Sequence, residues 1–238
     1  MSLSRRDALI ASGTALAGLS LSAPDSSAQG SPSQPAGNSA EPRFPKLKPE
    51  EMYFEQRRVA EAVNERRDGG LVGPFVPLSY APGILDRQQM LGEHCRYSTN
   101  VPPKLREWTI AIAARHMNSP GVFSAHARLA EAGGSAKRDE ARWGKPANGI
   151  AKESMEALAN RRRPPKLDDD EALIYDFFTE FNDTGEVSDA IFDRVEQRFG
   201  KSVIIDLIAI YAHYGTLGWV FNVSAAPVAS RPFPDQAE

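Results

Sequence analysis

The sequence predicts an all-α domain, and three observations carry that reading. Apolar residues recur at three- and four-residue spacing wherever a regular pattern exists. Pro, Ser or Asp precede those stretches and Gly follows them, as helix starts and stops do. No convincing period-two alternation, the mark of a half-buried strand, occurs anywhere.

Of the 238 residues, 41% are hydrophobic and 25% charged, an ordinary balance for a globular chain, and the length accommodates one domain with its own core. The formal net charge of −3 provides no polybasic surface, so neither nucleic acid nor an anionic membrane is an expected partner. A single cysteine, Cys95, excludes an intrachain disulfide, a CxxC pair and a multi-cysteine zinc site. His94, His116, His126 and His213 are widely spaced and form no metal signature, so no metal and no cofactor is expected.

The N-terminus carries Arg5-Arg6 just before a weakly apolar run, 8–23, that is too short and too polar for a membrane span. Ser26-Ser27-Ala28 then places small residues where a signal peptidase cuts. The pattern resembles a twin-arginine export signal over 1–28, with Ala8 where Phe is usual. A chance arginine pair in an unstructured tail is the competing reading. The resemblance implies a periplasmic or secreted protein with no stable span after cleavage. Residues 29–45, rich in Ser, Pro, Gly, Asn and Gln, bury too little apolar surface to order themselves and read as a tether. The domain is expected over 46–228, with a disordered tail over 229–238.

Pro49-Glu50-Glu51 opens a helix to about Arg67, with Met52, Val59 and Val63 on its buried side and Asp68-Gly69-Gly70 ending it. Residues 73–77 hold two prolines and read as an extended apolar loop whose Phe75 and Val76 require burial. A helix follows to Arg96, with Ile84, Leu85, Met90 and Leu91 as its buried face and Cys95 as a small core residue. Residues 149–160 suggest a short helix, and Arg161-Arg162-Arg163 a solvated helix end. Residues 168–181 form a helix with acidic residues in its first turn and Leu173, Ile174, Phe177, Phe178 and Phe181 buried. Ser188 caps a helix over 189–199 that Gly200 ends. The last helix, 203–221, is apolar nearly all round, so it belongs in the domain centre or at a subunit interface. Asp206, His213 and Asn222 argue against its being a membrane span.

The stretch 105–133 holds the chemistry. It reads as two helices joined by a turn at Asn118-Ser119-Pro120, with Ser119 as N-cap, Pro120 at the first helical position and Gly133 just past the end. Glu107 shares a face with Ile110, Ala111 and Ala114, while Arg106 and Arg115 fall more naturally on the solvated side. Such surroundings raise a carboxyl pKa and suit acid–base work; a glutamate favoured by the helix dipole alone is the competing reading. His126 shares a face with Val122, Leu129 and Gly133, and is either a hydrogen-bonded core histidine or a catalyst. A short turn packs the two helices side by side, so the two groups have reason to pair.

Leu105-Arg106-Glu107, 113–116 (AARH), 126–130 (HARLA) and Ala132-Gly133 resemble the core motif of the carboxymuconolactone decarboxylase family, which shares the alkyl hydroperoxidase D-like fold. Gly73-Pro74, Leu91-Gly92, 187–190, Phe199-Gly200, Tyr211, Tyr214, Asn222 and Pro227 extend the likeness from about residue 73 onward. The resemblance implies a helical bundle that assembles into trimers or hexamers by helix packing. It also implies Glu107 and His126 as the catalytic pair. The peroxidase branch carries cysteines at positions that are Ser119 and Val122 here, so a thiol peroxidase (peroxiredoxin-type) cycle, which needs a thiolate and a resolving thiol, is disfavoured. The expected activity is thiol-independent decarboxylation or isomerisation of a small unsaturated lactone or carboxylic acid. Arg115, Arg106, Trp108 and Phe123 are the expected substrate-binding residues, with Arg96, Tyr214 and Trp219 as further possibilities. A helical oligomer that binds a small ligand without converting it is the non-enzymatic alternative.

Overall fold

A computed structural model describes residues 42–67, 69–134, 137–146, 148–225 and 233. The segment expected to be an export signal, most of the expected tether and most of the tail lie outside the described residues. Among the described residues every regular element is helical: a 3-10 turn at Pro49–Glu51, then α1 (Phe54–Arg66), α2 (Phe75–Leu78), α3 (Pro82–Tyr97), α4 (Pro103–His116), α5 (Pro120–Glu131), α6 (Lys137–Trp143), α7 (Lys152–Ala159), α8 (Asp169–Thr184) and α9 (Asp189–Val223). The chain is an all-α bundle, and these helices belong to one unit, Asn38–Glu238.

The bundle is built round α4, which packs against α5, α8 and α9. Pro103 at its first turn starts it, and Leu105 to Arg115 are all buried. Ala111, Ala113 and Ala114 keep its surface shallow, so its neighbours approach closely. The last helix, expected in the domain centre or at a subunit interface, lies beside α4 rather than at the hub. In the structure α9 breaks at Gly200 (φ 80°), buries Ile204, Leu207, Ile210, Tyr214 and Leu217, and leaves a stripe of Ile205, Ile208, Trp219 and Val223 exposed. By length and composition α9 could cross a membrane, but 50% of its most apolar window is buried inside the domain, beside α4.

Other expectations need correction. Residues 75–78 form a helical turn rather than an extended loop, because Pro77 falls in the first turn, where no N–H is needed. On α3, Leu85 is buried, but Ile84, Met90 and Leu91 are exposed; Gln89, Gly92 and Cys95 fill the inward face. Phe181 is also exposed. α6 carries no clear apolar period and is not anticipated by pattern; its Asp139 is drawn in by Arg106. Both chain ends of the domain are fastened. Arg43 N–H donates to the Ser224 carbonyl (3.1 Å), Tyr80 Oη donates to the Pro45 carbonyl (2.8 Å), and Phe233, expected in a loose tail, is buried against Phe123 and Arg115.

α8 shows how local sequence sets a boundary. Asp168 accepts from the Glu171 N–H at 2.9 Å and Glu171 accepts from the Asp168 N–H at 3.1 Å, a reciprocal cap, and Gly185 (φ 82°) ends the helix. Ser119 does not cap α5 in this way. Its hydroxyl is buried without a partner, pressed beneath Gly218 of α9.

Candidate functional site

The turn between α4 and α5 is held from outside. Asn118 takes a left-handed conformation (φ 49°), and the Asn222 side-chain amide donates to the carbonyls of Met117 and Asn118, both at 3.1 Å. Gly215 and Gly218 let α9 cross close above Met117 and Ser119. At the far end of α5, Gly133 and Gly134 return N–H groups to the carbonyls of Ala130 (3.0 Å) and Leu129 (2.7 Å). With both ends fixed, the register between α4 and α5 is fixed.

That register joins the two residues singled out by sequence. His126 Nδ1 lies 2.6 Å from Glu107 Oε2, and both side chains are buried. Glu107 Oε1 faces two guanidinium groups, Arg106 Nη2 at 3.5 Å and Arg96 Nη2 at 4.0 Å. Arg106 in turn makes a two-point contact with Asp139 at 3.1 and 2.7 Å. The Tyr214 ring stands edge-on to His126, centroids 4.8 Å apart, and its hydroxyl accepts a hydrogen bond from Arg96.

The charge state of Glu107 is the reverse of the expectation from its apolar neighbours. Burial alone would raise its pKa, but His126, Arg96 and Arg106 together outweigh burial and hold the carboxyl down to about 2. It is therefore an anion at neutral pH and can only accept. The proton of the Glu107–His126 bond then sits on Nδ1, which leaves Nε2 as the ring's basic atom. Nε2 has no partner among the described residues, and His126 lines a cavity of about 820 Å³.

The cavity lies between α5 and α9, with the loop before α2 and the end of α3 as its other walls. α5 contributes Gly121, Val122, Ala125 and Leu129, α9 contributes Tyr214, Leu217 and Phe221, and the loop contributes Val72 to Phe75. Two cations line it, Arg67 and Arg96, with Tyr97 beside them. Arg96 is opposed by burial, yet Tyr214 and Glu107 more than compensate and its pKa is raised. Arg67 has its pKa lowered, chiefly by burial.

None of the four substrate-binding residues expected from sequence reaches this cavity. Arg106 lies behind Glu107, tied to Asp139. Arg115 is buried, donating to the Ala159 carbonyl (2.9 Å) and to Asn118 Oδ1 (2.6 Å), with Phe233 under its guanidinium. Trp108 is a core residue: its indole N–H donates to the Glu171 carbonyl (3.0 Å) and its ring stacks on Tyr175. Phe123 packs on Phe233. Trp219 is 56% exposed. Arg96 and Tyr214 do line the cavity, whereas Arg67 and Phe221 are residues the sequence reading missed. Arg67 follows α1 in irregular chain, where no periodicity marks an inward side chain. Phe75 carried a signal, an apolar residue demanding burial among prolines, without a hint that it faces a ligand space.

Val122 lines the cavity, Ser119 is buried under α9, and the chain's one cysteine, Cys95, is buried with its pKa pushed up to about 11 by desolvation, which disfavours a thiolate there. Among the described residues no cluster of three or more His, Cys, Asp or Glu side chains could hold a metal.

Two further histidines are neutral rings, His213 buried and His116 half-buried. His213 Nδ1 meets Gln88 Oε1 at 2.8 Å and His116 Nδ1 meets the Tyr211 hydroxyl at 2.8 Å. Desolvation chiefly lowers each to about 4 from 6.5. A depressed histidine contributes stability that is complete above its unfolded pKa and is lost as pH falls through the folded one. Unfolding midpoints should thus drop steeply between pH 6.5 and about 4, at roughly 1.4 kcal/mol per unit of depression for each ring. His213→Gln should flatten that slope in a pH series of urea melts.

No protein-family model and no curated protein matches the chain.

Proposed function

We propose that the chain is a thiol-independent enzyme that moves a proton on a small unsaturated lactone or carboxylic acid, as its resemblance to the carboxymuconolactone decarboxylase family implies. One observation carries the reading: His126, bonded through Nδ1 at 2.6 Å to a buried anionic Glu107, lines a cavity of about 820 Å³. The two residues do not divide the proton transfer between them, because Glu107 has no proton to deliver near neutrality. His126 does both. In isomerisation, Nε2 removes a proton from the carbon beside the carbonyl, Glu107 balances the imidazolium, and the proton returns at the far end of the dienolate. In decarboxylation, the C–C bond to the carboxylate breaks, its electron pair enters the unsaturated carbonyl, and a proton taken up from solvent and delivered through Nε2 quenches the new carbanion as CO₂ leaves. The apolar lining admits a ring or short chain, and the arginines favour a negative charge.

The test is a mass-change screen of small unsaturated lactones and carboxylic acids with the native protein and His126→Ala. A loss of CO₂ or a mass-neutral rearrangement that depends on His126 supports the reading; saturable binding with no conversion of any bound compound shows a ligand-binding protein instead. The same reading includes export through the Arg5-Arg6 segment to the periplasm or beyond. It also includes self-association through the exposed α9 stripe. Ile208→Asp, on that stripe and away from the cavity, should lower the particle mass seen by light scattering while leaving the helical signal intact.

A further inference from the structure

Arg67 stands out among the charged groups of the cavity. Its Nη2 donates a long bond of 3.3 Å to the Gln89 backbone carbonyl, its Nε is buried with no partner, and Nη1 has no protein partner among the described residues. No carboxylate among the described residues stands within ion-pair distance of it, and its guanidinium lies 4.2 Å above the Phe75 ring. A half-buried cation with so few partners is costly to desolvate further unless an anion meets it. Arg96 differs, because it already faces Glu107 at 4.0 Å and bonds Tyr214.

The surroundings keep Arg67 in place. A Cβ at Gly92 would come within 2.4 Å of Arg67 Nη2 and 2.5 Å of His213 Nε2, so the bare glycine lets both groups lie against α3. His213 Nε2 is itself buried without a partner. The two histidine rings flank Tyr214, at 4.8 Å for His126 and 5.0 Å for His213. The wall therefore runs from the proton-transfer nitrogen, past Tyr214, to an unpaired guanidinium.

We infer that Arg67 is the anion-binding residue of this cavity, pairing with a carboxylate of the ligand and so setting which carbon is presented to His126. The inference rests on the reading of the cavity as the substrate site, and it assigns the polar end of that site. Arg67 is a positioning residue; it takes no part in the proton transfer.

The probes are 2-furoate and its neutral methyl ester, titrated calorimetrically into the purified protein, with melting curves alongside. Furoate should bind and raise the melting temperature. Arg67→Met should weaken furoate about 30-fold or more, the loss expected for one partner of a desolvated charge pair, and leave the ester within about twofold. Arg67→Lys should restore part of the difference. The unliganded Arg67→Met protein should melt no lower than the native one, since it sheds a half-buried charge with no anion beside it among the described residues. Equal furoate affinity in Arg67→Met, no saturable furoate binding by the native protein, or equal weakening of both ligands with a lower melting temperature would each overturn the inference. His126→Ala keeps Arg67 and should still bind furoate saturably. Retained turnover in that variant removes the proton-transfer reading and leaves the anion site intact, so the two ideas fail separately.

Discussion

His126→Ala should lower turnover of any substrate found for this cavity about a thousandfold, and Glu107→Gln by a comparable factor, with the helical fold kept in both. A positioned acid–base group contributes about 10² to 10⁴ in rate, and an orienting carboxylate behind a histidine about 10⁴ where it has been replaced by its amide. The second effect is large here for a geometric reason. Glutamine fills the same volume, but its amide can present an N–H to Nδ1, which turns the ring into the tautomer whose Nε2 already carries a proton and cannot act as base. The measurement is single-turnover rate against pH. Wild-type activity should show no limb belonging to Glu107 above about pH 2, where its carboxyl titrates. If Glu107→Gln turns over at the native rate, the 2.6 Å bond is structural and the proposed mechanism is wrong.

The same substitution has a stability signature. Glu107 is depressed from 4.5 to about 2, so its contribution is complete above pH 4.5 and vanishes as pH falls through 2. Glu107→Gln should cost on the order of 3 kcal/mol near neutrality, because His126, Arg96 and Arg106 lose the anion they share. Below pH 4.5 the native protein should converge on the variant. A loss that is pH-independent would mean that packing of the side chain, and not its charge, is what matters.

What could be read from sequence follows from how local each signal is. Glu107 and His126 were legible because helical spacing puts them among alanines and aliphatic residues, and a three-residue turn brings their helices together. The sign of the Glu107 pKa was not, since it depends on His126, Arg96 and Arg106 together outweighing burial, and Arg96 reaches it from another helix. The central place of α4 depends on distant partners in a related way. α4 buries Arg106 and Arg115, which a pattern scores as surface; they are admitted because Asp139 and the Ala159 carbonyl, 33 and 44 residues away, satisfy them. α9 scores as more apolar, yet its Ile205, Ile208 and Val223 face outward in a single chain. Arg67 had no signal at all. It becomes conspicuous only when one sees that a cation lining the cavity has no anion beside it.

Gly149→Ala should be among the most destabilising single changes in the domain, costing on the order of 3–5 kcal/mol and about 10 °C in melting temperature. Gly149 passes over the end of α5, and a Cβ there would lie 1.8 Å from the Glu131 carbonyl oxygen, 2.3 Å from its carbon and 2.8 Å from the Ala130 oxygen. All three are backbone atoms, so no side chain can swing aside. The helix end cannot yield either, for the Ala130 carbonyl accepts from Gly133 at 3.0 Å and from Ile150 at 2.9 Å. Relief requires the segment to lift, which breaks the Ile150 bond and uncovers a side chain that is 2% exposed. Gly185→Ala is the control for backbone strain without a clash: nothing lies within 4 Å, and its φ of +82° alone should cost about 1 kcal/mol. Gly83→Ala, on α3 with Arg87 Nη1 as its nearest neighbour at 3.9 Å, should be neutral or stabilising by about 0.5–1 kcal/mol. Urea melts should rank the three in that order. Because His126 rides on α5, a lifted helix end should also reduce turnover at temperatures where Gly149→Ala is still folded, since displacements of about 1 Å can cost a hundredfold in rate. A variant that melts early but keeps full activity until it melts would show that the α4–α5 register is held by the turn at Asn118 alone.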